Sequence, residues 1–353
     1  MAVNHIELFS GLGGFRVAMQ LLASSSSTSF KCRAFSEIER HAIEAYKTNF
    51  DTTGEIEMGD IAAFTEDNER LAELPHVDLV TGGFPCQSFS MMGEQRGFDD
   101  PRGNLFFNIL RVIRQATPPF ILLENVKNLK THDGGKTFRV IKESIENLGY
   151  HFYADVFNTS DFGLAQTRNR VYMFATTMAP PAGFEFSSAT VKEFFTEKRR
   201  TNLFLRWQND THDALELHVP DKYFLSEKLK RTILSNGSGG FVSISDIDLL
   251  TARPLCVTMH KMHRACQDNY FSQGYIERTH EGPTSGCDAF GMQVRRLTPR
   301  EAFRLQGFPK QYYNNVESLG MSDSAMYKLA GNAISVNVVY AILTYLAANF
   351  NWE

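Results

Sequence analysis

The sequence predicts an α/β fold, a doubly wound sheet followed by a smaller second domain. Short apolar runs that read as buried strands alternate with helical patterns through the first part of the chain. Glycines or polar residues follow several of these runs, as is typical where parallel strands end. After Pro180-Pro181 the alternation stops, and loops with interleaved aromatic residues continue to about residue 293.

Order returns at Arg296-Leu297-Thr298-Pro299, where Thr298 is predicted to cap a helix and Pro299 to occupy its first turn. A final apolar helix, at about 335–348, is expected to pack back onto the first domain. We therefore divide the chain into a first domain, a second domain with its bracing helix, and a returning C-terminal segment: 1–185, 186–320 and 321–353.

Composition places the chain among soluble globular proteins. Of its 353 residues, 43% are hydrophobic and 22% charged, and no apolar stretch approaches the roughly 18 residues that a membrane span needs. The first residues show a strand pattern at 5–9 and no secretory signal. Five cysteines, an odd number without a regular framework, suit a reducing compartment. We expect a cytoplasmic protein that does not enter a membrane.

Charge is unevenly distributed along the chain. The net charge is −4, yet residues 191–300 carry 16 Lys and Arg against 13 Asp and Glu. A local positive excess in a negatively charged protein indicates a segment that faces a polyanion.

The first predicted strand, 5–9, leads into Ser10-Gly11-Leu12-Gly13-Gly14 and then a helix, 15–22. Strand, glycine turn and helix form a nucleotide-type loop, in which glycines allow close backbone approach. The spacing departs from Gly-x-Gly-x-x-Gly, so the loop alone leaves a plain strand-to-helix turn open. A second strand, 32–36, ends at Glu37, where such folds grip a ribose diol.

A third strand ends at Gly59-Asp60-Ile61, and the central strand, 77–80, leads through Gly82-Gly83 and Phe84-Pro85 to Cys86. Pro85 stiffens the backbone just before this thiol, which suits a nucleophile. An inert buried cysteine is the alternative.

Further strands and helices continue the alternation. A helix is predicted to begin near Arg102, and a strand is predicted over 120–123. This strand ends in Glu124-Asn125-Val126, a second strand end with chemically active groups. A helix is predicted at 136–147, followed by strands at 151–157 and 171–176 that we expect to pair antiparallel. Arg168 and Arg170, two residues apart at a strand start, are expected to point the same way.

Taken together and in order, these motifs resemble the DNA (cytosine-5-)-methyltransferases of the bacterial restriction–modification type. Gly-Phe-Pro-Cys-Gln resembles that family's nucleophile loop, Glu-Asn-Val its acidic motif, and Gln-Thr-Arg-Asn-Arg its paired arginines. The resemblance covers nearly the whole chain. It implies a Rossmann-like S-adenosylmethionine-dependent domain, a target-recognition domain, and double-stranded DNA as substrate.

The resemblance also implies roles for individual residues. Cys86 would attack carbon 6 of cytosine, Glu124 would act at ring nitrogen 3, Arg170 would contact the base, and Arg168 would position the catalytic groups. The stretch 87–104 resembles the loop that closes over a flipped-out base. The implied S-adenosylmethionine contacts are Phe9, Gly11, Gly13, Glu37, Ile38, Asp60, Ile61, Pro85, Leu105 and Asn332. The implied DNA contacts are Gln87, Ser88, Lys261, Arg264 and Arg296.

Partners follow from the same resemblance. We expect a monomer, and the restriction–modification type leaves room for a cognate restriction endonuclease that acts on the same site. Target choice is expected in residues 191–293, with Lys261, Arg264, Arg295 and Arg296 near aromatic residues.

Other features of the sequence allow different interpretations. The ligand types of a zinc site are present in Cys256, His260, His263 and Cys266, with Cys287 beyond. Because their spacing fits no common zinc finger, we expect no metal. A segment that contacts DNA through Lys261, His263, Arg264 and Tyr270 is the preferred interpretation. The rival functions are a tRNA cytosine-5 methyltransferase, a nicotinamide-dependent oxidoreductase and a non-catalytic DNA-binding relative.

Overall fold

A computed structural model of the chain describes residues 2–85, 105–198, 205–238, 240–350 and 352. Contacts between Cα atoms divide the chain into two compact units. The first, here called the sheet unit, comprises Met1–Asn158, Asn169–Leu205 and Val338–Glu353. The second unit comprises Thr159–Arg168 and Arg206–Asn337.

The sheet unit contains a seven-stranded sheet whose strands lie in the order β3-β2-β1-β4-β5-β7-β6. The first five strands in this order are parallel, while β7 runs antiparallel to both β5 and β6. The strands are β1 (Ala2–Leu8), β2 (Ser29–Phe35), β3 (Ile56–Glu57), β4 (Leu79–Gly83), β5 (Phe120–Val126), β6 (His151–Asn158) and β7 (Asn169–Thr176).

The chain winds outward from β1 in one direction and from β4 in the other, which is the doubly wound topology that the sequence predicts. The carboxyl ends of β1, β2, β4 and β5 therefore meet at one edge of the sheet. Ligands bind at such an edge, beside the point where the strand order reverses. Because β7 is antiparallel, its first residues lie at this edge as well.

Helices link these strands, and their buried faces follow the helical period. In the helix Leu105–Ala116, Phe106, Ile109 and Ile113 point into the core. The helices of this part of the chain are α1 (Gly14–Ala23), α2 (Arg40–Asn49), α3 (Ile61–Glu66), α4 (Asn68–Ala72), α5 (Leu105–Ala116), α6 (Lys136–Glu146) and α7 (Ser188–Lys198).

The second unit has short strands in two-stranded pairs and a small core that includes Ile233, Ile247 and Val294. Its strands are β8 (Gly237–Ser238), β9 (Phe241–Val242), β10 (Asp246–Ile247), β11 (Tyr270–Ser272), β12 (Thr284–Ser285) and β13 (Val294–Arg296). Its helices are α8 (Glu227–Ile233), α9 (Gln273–Ile276), α10 (Pro299–Leu305), α11 (Lys310–Glu317) and α12 (Asp323–Asn332).

The predicted cap of α10 is confirmed. Thr298 Oγ1 accepts the Glu301 N–H at 3.2 Å, and the Glu301 carboxylate accepts the Thr298 N–H at 2.7 Å. This reciprocal capping box, with Pro299 in the first turn, fixes where the helix begins.

The unit boundaries differ from those that the sequence suggests at 185/186 and 320/321. Helix α7 belongs to the sheet unit, since its Val191 and Phe195 are buried there and Phe195 lies against Tyr340 of the same unit. Residues 159–168 and the stretch up to Asn337 belong to the second unit. The composition of the sequence changes at Pro180-Pro181, but it does not reveal that residues 159–168, before this point, belong to the second unit.

A last helix, α13 (Val336–Asn349), follows α12 closely. Together, Asp323–Asn349 form the one stretch in the described ranges that is long and apolar enough to cross a membrane, and 83% of its most apolar window is buried inside the protein. Such burial is typical of a core helix. No single apolar run in the sequence has this length, and the stretch reaches it because two helices follow one another.

Candidate active site at the carboxyl edge of the sheet

The loop after β1 makes a sharp turn. Phe9, Gly11 and Gly13 all have left-handed backbone conformations, with φ of 52°, 52° and 69°. Glycine adopts this conformation without steric cost, whereas a residue with a side chain, such as Phe9, adopts it rarely. A Cβ on Gly13 would lie 2.4 Å from Phe50 Cε2, so this position also needs glycine for space.

Glu37 closes this loop from the neighbouring strand. Its Oε2 accepts the Gly11 N–H at 2.8 Å, and its Oε1 accepts the N–H groups of Ile38 and Glu39 at 2.8 and 2.9 Å. The side chain of Ile38 is 74% exposed beside it. A negative charge and an exposed apolar surface thus stand at the end of β2.

These residues fit S-adenosylmethionine better than a dinucleotide. A pyrophosphate needs free backbone N–H groups in this loop, and that of Gly11 is already bonded to a carboxylate. Glu37 suits a ribose diol, and Ile38 offers an apolar surface to an adenine ring. Ser10 Oγ is buried beside them and has no hydrogen-bond partner in the described ranges. Such a group is ready for a ligand atom.

The other predicted cofactor residues of this unit lie at or near the same edge. Asp60 is exposed and caps α3 by accepting the Ala62 N–H at 2.9 Å, while Ile61 is buried. Pro85 is exposed directly after β4, and Leu105 is half-buried at the start of α5. Asn332, exposed at the end of α12, belongs to the second unit.

Glu124 and Arg170 form an ion pair at this edge. Arg170 Nε lies 3.1 Å from Glu124 Oε1, and the two side chains are 21% and 11% exposed. The pairing follows from the sheet register, in which β5 and β7 run antiparallel with Val126 opposite Arg170. The geometry leaves both groups partly open to a ligand.

The chain reaches Cys86 from the strand beside Glu124. Gly83 of β4 pairs with Glu124 in the parallel register, and Asn125 Nδ2 donates to the Phe84 carbonyl at 2.8 Å. This bond fixes the exit of β4 through the residue that directly follows Glu124. Cys86, Gln87, Ser88 and the stretch 87–104 lie outside the described residues.

Arg168 does not share the environment of Arg170. It is 3% exposed, and its guanidinium donates to the carbonyls of Leu255, Gly331 and Ala333 at 3.0–3.1 Å. All three partners belong to the second unit. The expectation of a common direction is wrong because β7 begins at Asn169, so that Arg168 precedes the strand.

The predicted DNA contacts differ in exposure. Lys261 is exposed, and Arg264 is half-buried with Nη1 donating to Ser235 Oγ at 2.7 Å. Arg296 is half-buried, with its guanidinium 5.5 and 5.3 Å from the ring centroids of Tyr223 and Tyr327.

Two residues of the predicted DNA-facing group are buried. Arg295 is fully buried in a bidentate pair with Glu301, with distances of 2.7 and 2.9 Å, and Tyr270 is 2% exposed with its hydroxyl on the His263 carbonyl. Neither can reach a DNA groove. In short, irregular strands the sequence pattern does not reveal which side chains face inward.

The cysteine–histidine constellation makes other contacts. Among the described residues, no group of three or more His, Cys, Asp or Glu side chains is arranged to hold a metal. Cys256 Sγ lies 3.5 Å from Asp268 Oδ1, and His263 Nε2 lies 2.9 Å from Thr258 Oγ1. The zinc interpretation therefore has no geometric support.

A polar group beneath the predicted cofactor loop was not predicted from the sequence. Glu7 and His5 of β1 are buried, and Glu7 is bonded to Tyr46 of α2. Burial raises the pKa of Glu7 to about 7 and lowers the pKa of His5 to about 3. The available signal was two ionisable residues inside an otherwise apolar strand.

Comparison with known proteins identifies the family of this chain. Residues 3–348 match a family model described as C-5 cytosine-specific DNA methylase. The chain is 35% identical to the type II methyltransferase M1.ScrFI of Lactococcus lactis subsp. cremoris over 96% of this chain and 76% of that protein. It is 30% identical to the type II methyltransferase M.HhaI of Haemophilus parahaemolyticus, covering 99% and 96% of the two chains.

Solved structures show the same fold. The methyltransferase EhMeth of Entamoeba histolytica superposes with a TM-score of 0.71 at 20% identity, covering 99% of this chain and 98% of that one. The Dnmt2 methyltransferase of S. pombe gives 0.67 at 21% identity, with 99% and 100% covered. The match of the family model over nearly the whole chain, with relatives of 30% identity or more, shows that this chain belongs to the C-5 cytosine-specific DNA methylase family.

Proposed function

We propose that the protein methylates carbon 5 of a cytosine within a specific sequence of double-stranded DNA, with Cys86 as the covalent nucleophile. Family membership fixes the reaction class, methylation of cytosine in DNA with S-adenosylmethionine as cofactor. The observation that carries the residue assignment is the ion pair of Glu124 with Arg170, because Glu124 stands on β5, the strand next to the one that leads into Cys86.

The chemistry needs these groups because carbon 5 of cytosine is a weak nucleophile. Addition of the Cys86 thiolate to carbon 6 makes carbon 5 enamine-like, so one difficult step becomes two easier ones. Glu124 stabilises the charge that develops at ring nitrogen 3, by a hydrogen bond or by proton donation. Arg170 holds Glu124 in place and offers its remaining N–H groups to the carbonyl oxygen of the base.

Bound S-adenosylmethionine supplies an electrophilic methyl group to carbon 5. The Glu37 carboxylate, the Ile38 side chain and the backbone at Phe9 and Gly11 would hold it in the loop after β1. S-adenosylhomocysteine would be the other product, and a water molecule would accept the carbon 5 proton as the thiolate is expelled, which completes the exchange of hydrogen for methyl. A target base inside a duplex must be flipped out to reach these groups.

We further propose that the second unit selects the DNA sequence, that the enzyme acts as a cytoplasmic monomer, and that a cognate restriction endonuclease acts on the same site. The type II relatives support the last point by their names. Exposed Lys261 supports the first, together with the positive excess over residues 191–300.

Bisulfite sequencing of DNA from cells that express the protein tests the activity, the target base and the site at once. We expect protected cytosines within one recurring sequence. Duplexes that contain 5-fluorocytosine at that site should trap the wild type covalently and leave Cys86→Ser untrapped, although Cys86→Ser still binds S-adenosylhomocysteine. Methylated tRNA with unmodified DNA would favour the tRNA alternative, and a trapped Cys86→Ser variant would remove Cys86 from the mechanism.

A further inference from the structure

Four polar side chains, two of them fully buried and two half-buried, form a network beneath the loop after β1. The Tyr46 hydroxyl donates to Glu7 Oε2 at 3.0 Å and accepts from Arg16 Nη1 at 3.0 Å. Arg16 in turn forms a bidentate pair with Glu55, at 2.7 and 3.0 Å. We call Glu7, Arg16, Tyr46 and Glu55 the loop brace.

The loop brace connects the two ends of the predicted cofactor loop. Glu7 lies in β1 two residues before Phe9, and Arg16 lies in α1 three residues after Gly13. The Tyr46 hydroxyl thus joins the strand that enters the loop to the helix that leaves it. Its ring also packs directly under the loop, since a Cβ on Gly13 would lie 2.9 Å from Tyr46 Cε2.

Burial of these polar groups costs free energy that a simple packing role would not require. Glu7 is fully buried in β1, an interior strand of the sheet, and its Oε1 has no hydrogen-bond partner within the described ranges. A buried carboxyl is usually less favourable than an apolar side chain of the same size. Polar networks of this kind instead fix one geometry of the elements that they join.

We propose that Tyr46 is a positioning residue for S-adenosylmethionine. Its hydroxyl fixes the distance between β1 and α1, and with it the backbone of residues 9–13 on which the cofactor rests. Tyr46 itself lies below the loop and is fully buried. The proposal rests on the proposed function, because it takes this loop to be the cofactor site.

Tyr46→Phe removes the hydroxyl and keeps the ring. Loss of one hydrogen-bonding group of this kind costs up to about 1.4 kcal/mol, so we expect the Kd of S-adenosylhomocysteine, measured by calorimetry, to rise by up to about tenfold. The KM for S-adenosylmethionine should rise in parallel. The KM for DNA, and kcat at saturating cofactor, should stay near the wild-type values.

Tyr150→Phe is the matched control. Tyr150 is also buried in the sheet unit, and its hydroxyl donates to the Pro118 carbonyl at 2.6 Å, at the amino end of β5. We expect Tyr150→Phe to lower the Tm as Tyr46→Phe does without weakening cofactor binding. Equal cofactor affinities in the two variants would overturn the proposal.

A double variant, Glu7→Met with Tyr46→Phe, separates positioning from stability even if Tyr46→Phe alone folds poorly. It removes the stranded carboxyl and should recover the Tm, while the affinity for S-adenosylhomocysteine stays weak. Recovery of both would show that Tyr46 acts only through stability. A folded wild type that binds no S-adenosylhomocysteine would contradict the proposed function itself, an outcome distinct from either.

Discussion

In the sheet unit the charged groups of the candidate site stand at strand ends, whereas the second unit keeps several of its charges inside. Glu37 and Arg170 are partly exposed at one edge of the sheet, and the Glu124 side chain beside Arg170 is buried but keeps 11% of its surface accessible. In the second unit Arg295 and Glu301 are fully buried, and Arg168 is 3% exposed. All three of these buried groups bond to backbone atoms of their own unit.

The cause of this difference is the amount of regular structure. Long parallel strands satisfy their backbone groups among themselves, so side chains at their ends stay available for ligands. Strands of two or three residues leave many backbone groups in loops, and buried side chains must bond them. A charge in such a unit is therefore more often part of the framework than of the binding surface.

Glu124→Gln should have the largest effect on activity. If Glu124 acts as an acid at ring nitrogen 3, its loss should slow methyl transfer by about 10²–10⁴-fold. Because the side chains of Glu124 and Arg170 are only 11% and 21% exposed, the free energy of unfolding should fall by about 1–3 kcal/mol, less than for a fully buried pair. Rates measured at saturating cofactor and DNA check the prediction, with exposed Glu143→Gln of α6 as the control. A wild-type rate for Glu124→Gln would remove the carboxyl from the chemistry.

Glu301→Gln should have the largest effect on stability. It leaves the Arg295 guanidinium buried beside a neutral amide, a change that typically costs about 3–5 kcal/mol. Urea unfolding measures this loss. The exposed pair Arg40–Glu44 of α2 is the control, and Glu44→Gln should cost less than about 1 kcal/mol. Equal losses in the two variants would contradict a framework role for the buried pair.

Glu7→Gln should change how stability depends on pH. Burial raises the pKa of Glu7 from 4.5 to about 7, with Arg16, Tyr46, Glu55 and Cys32 as the nearest ionisable groups. The folded state then binds the proton more tightly than the unfolded state. The contribution of Glu7 to the free energy of unfolding is therefore lost as the pH rises from about 4.5 to about 7. The loss is on the order of 2–3 kcal/mol.

His5 acts in the opposite direction in the same strand. Burial lowers its pKa from 6.5 to about 3, so its contribution falls as pH drops below about 6.5. Urea unfolding of the wild type and of Glu7→Gln, measured from about pH 4.5 to about pH 8, isolates the Glu7 contribution. This range runs from the unfolded-state pKa of Glu7 to just above its folded-state pKa. The variant should show a smaller decline with rising pH, and parallel curves would contradict the raised pKa.

Lys261→Ala should have the smallest effect, confined to DNA affinity. Loss of one phosphate contact should reduce the slope of log K against log salt concentration by about 0.9 and leave the methylated sequence unchanged. Lys142→Ala, which removes an exposed charge from α6 of the sheet unit, is the control. An unchanged slope for Lys261→Ala would remove this residue from the DNA interface.

The contrast between the units also explains how much could be predicted from the sequence. In the sheet unit, the strand pattern located Glu37 and Glu124 at strand ends, and parallel topology brings such ends together. The predicted antiparallel pairing of β6 with β7 is confirmed. It is the antiparallel register of β5 with β7, which the sequence did not reveal, that places Arg170 beside Glu124.

The second unit was less predictable for a physical reason. Its strands are too short for a side-chain period, so the sequence did not reveal that Arg295 and Tyr270 face inward. The sequence also did not reveal that residues 159–168 belong to the second unit, which assigns Arg168 and Arg170 to different units. The loop brace stayed hidden because it depends on contacts between β1, α1 and α2, which no local pattern encodes.

We propose that the sheet unit performs the chemistry while the second unit chooses the DNA sequence. Exchange of residues 206–293 for the corresponding segment of a relative with a different target tests this division of roles, with bisulfite sequencing to map the methylated cytosines. We expect a folded, active chimera that methylates the relative's target and is still trapped through Cys86 on 5-fluorocytosine DNA. An active chimera that methylates the original target would contradict it.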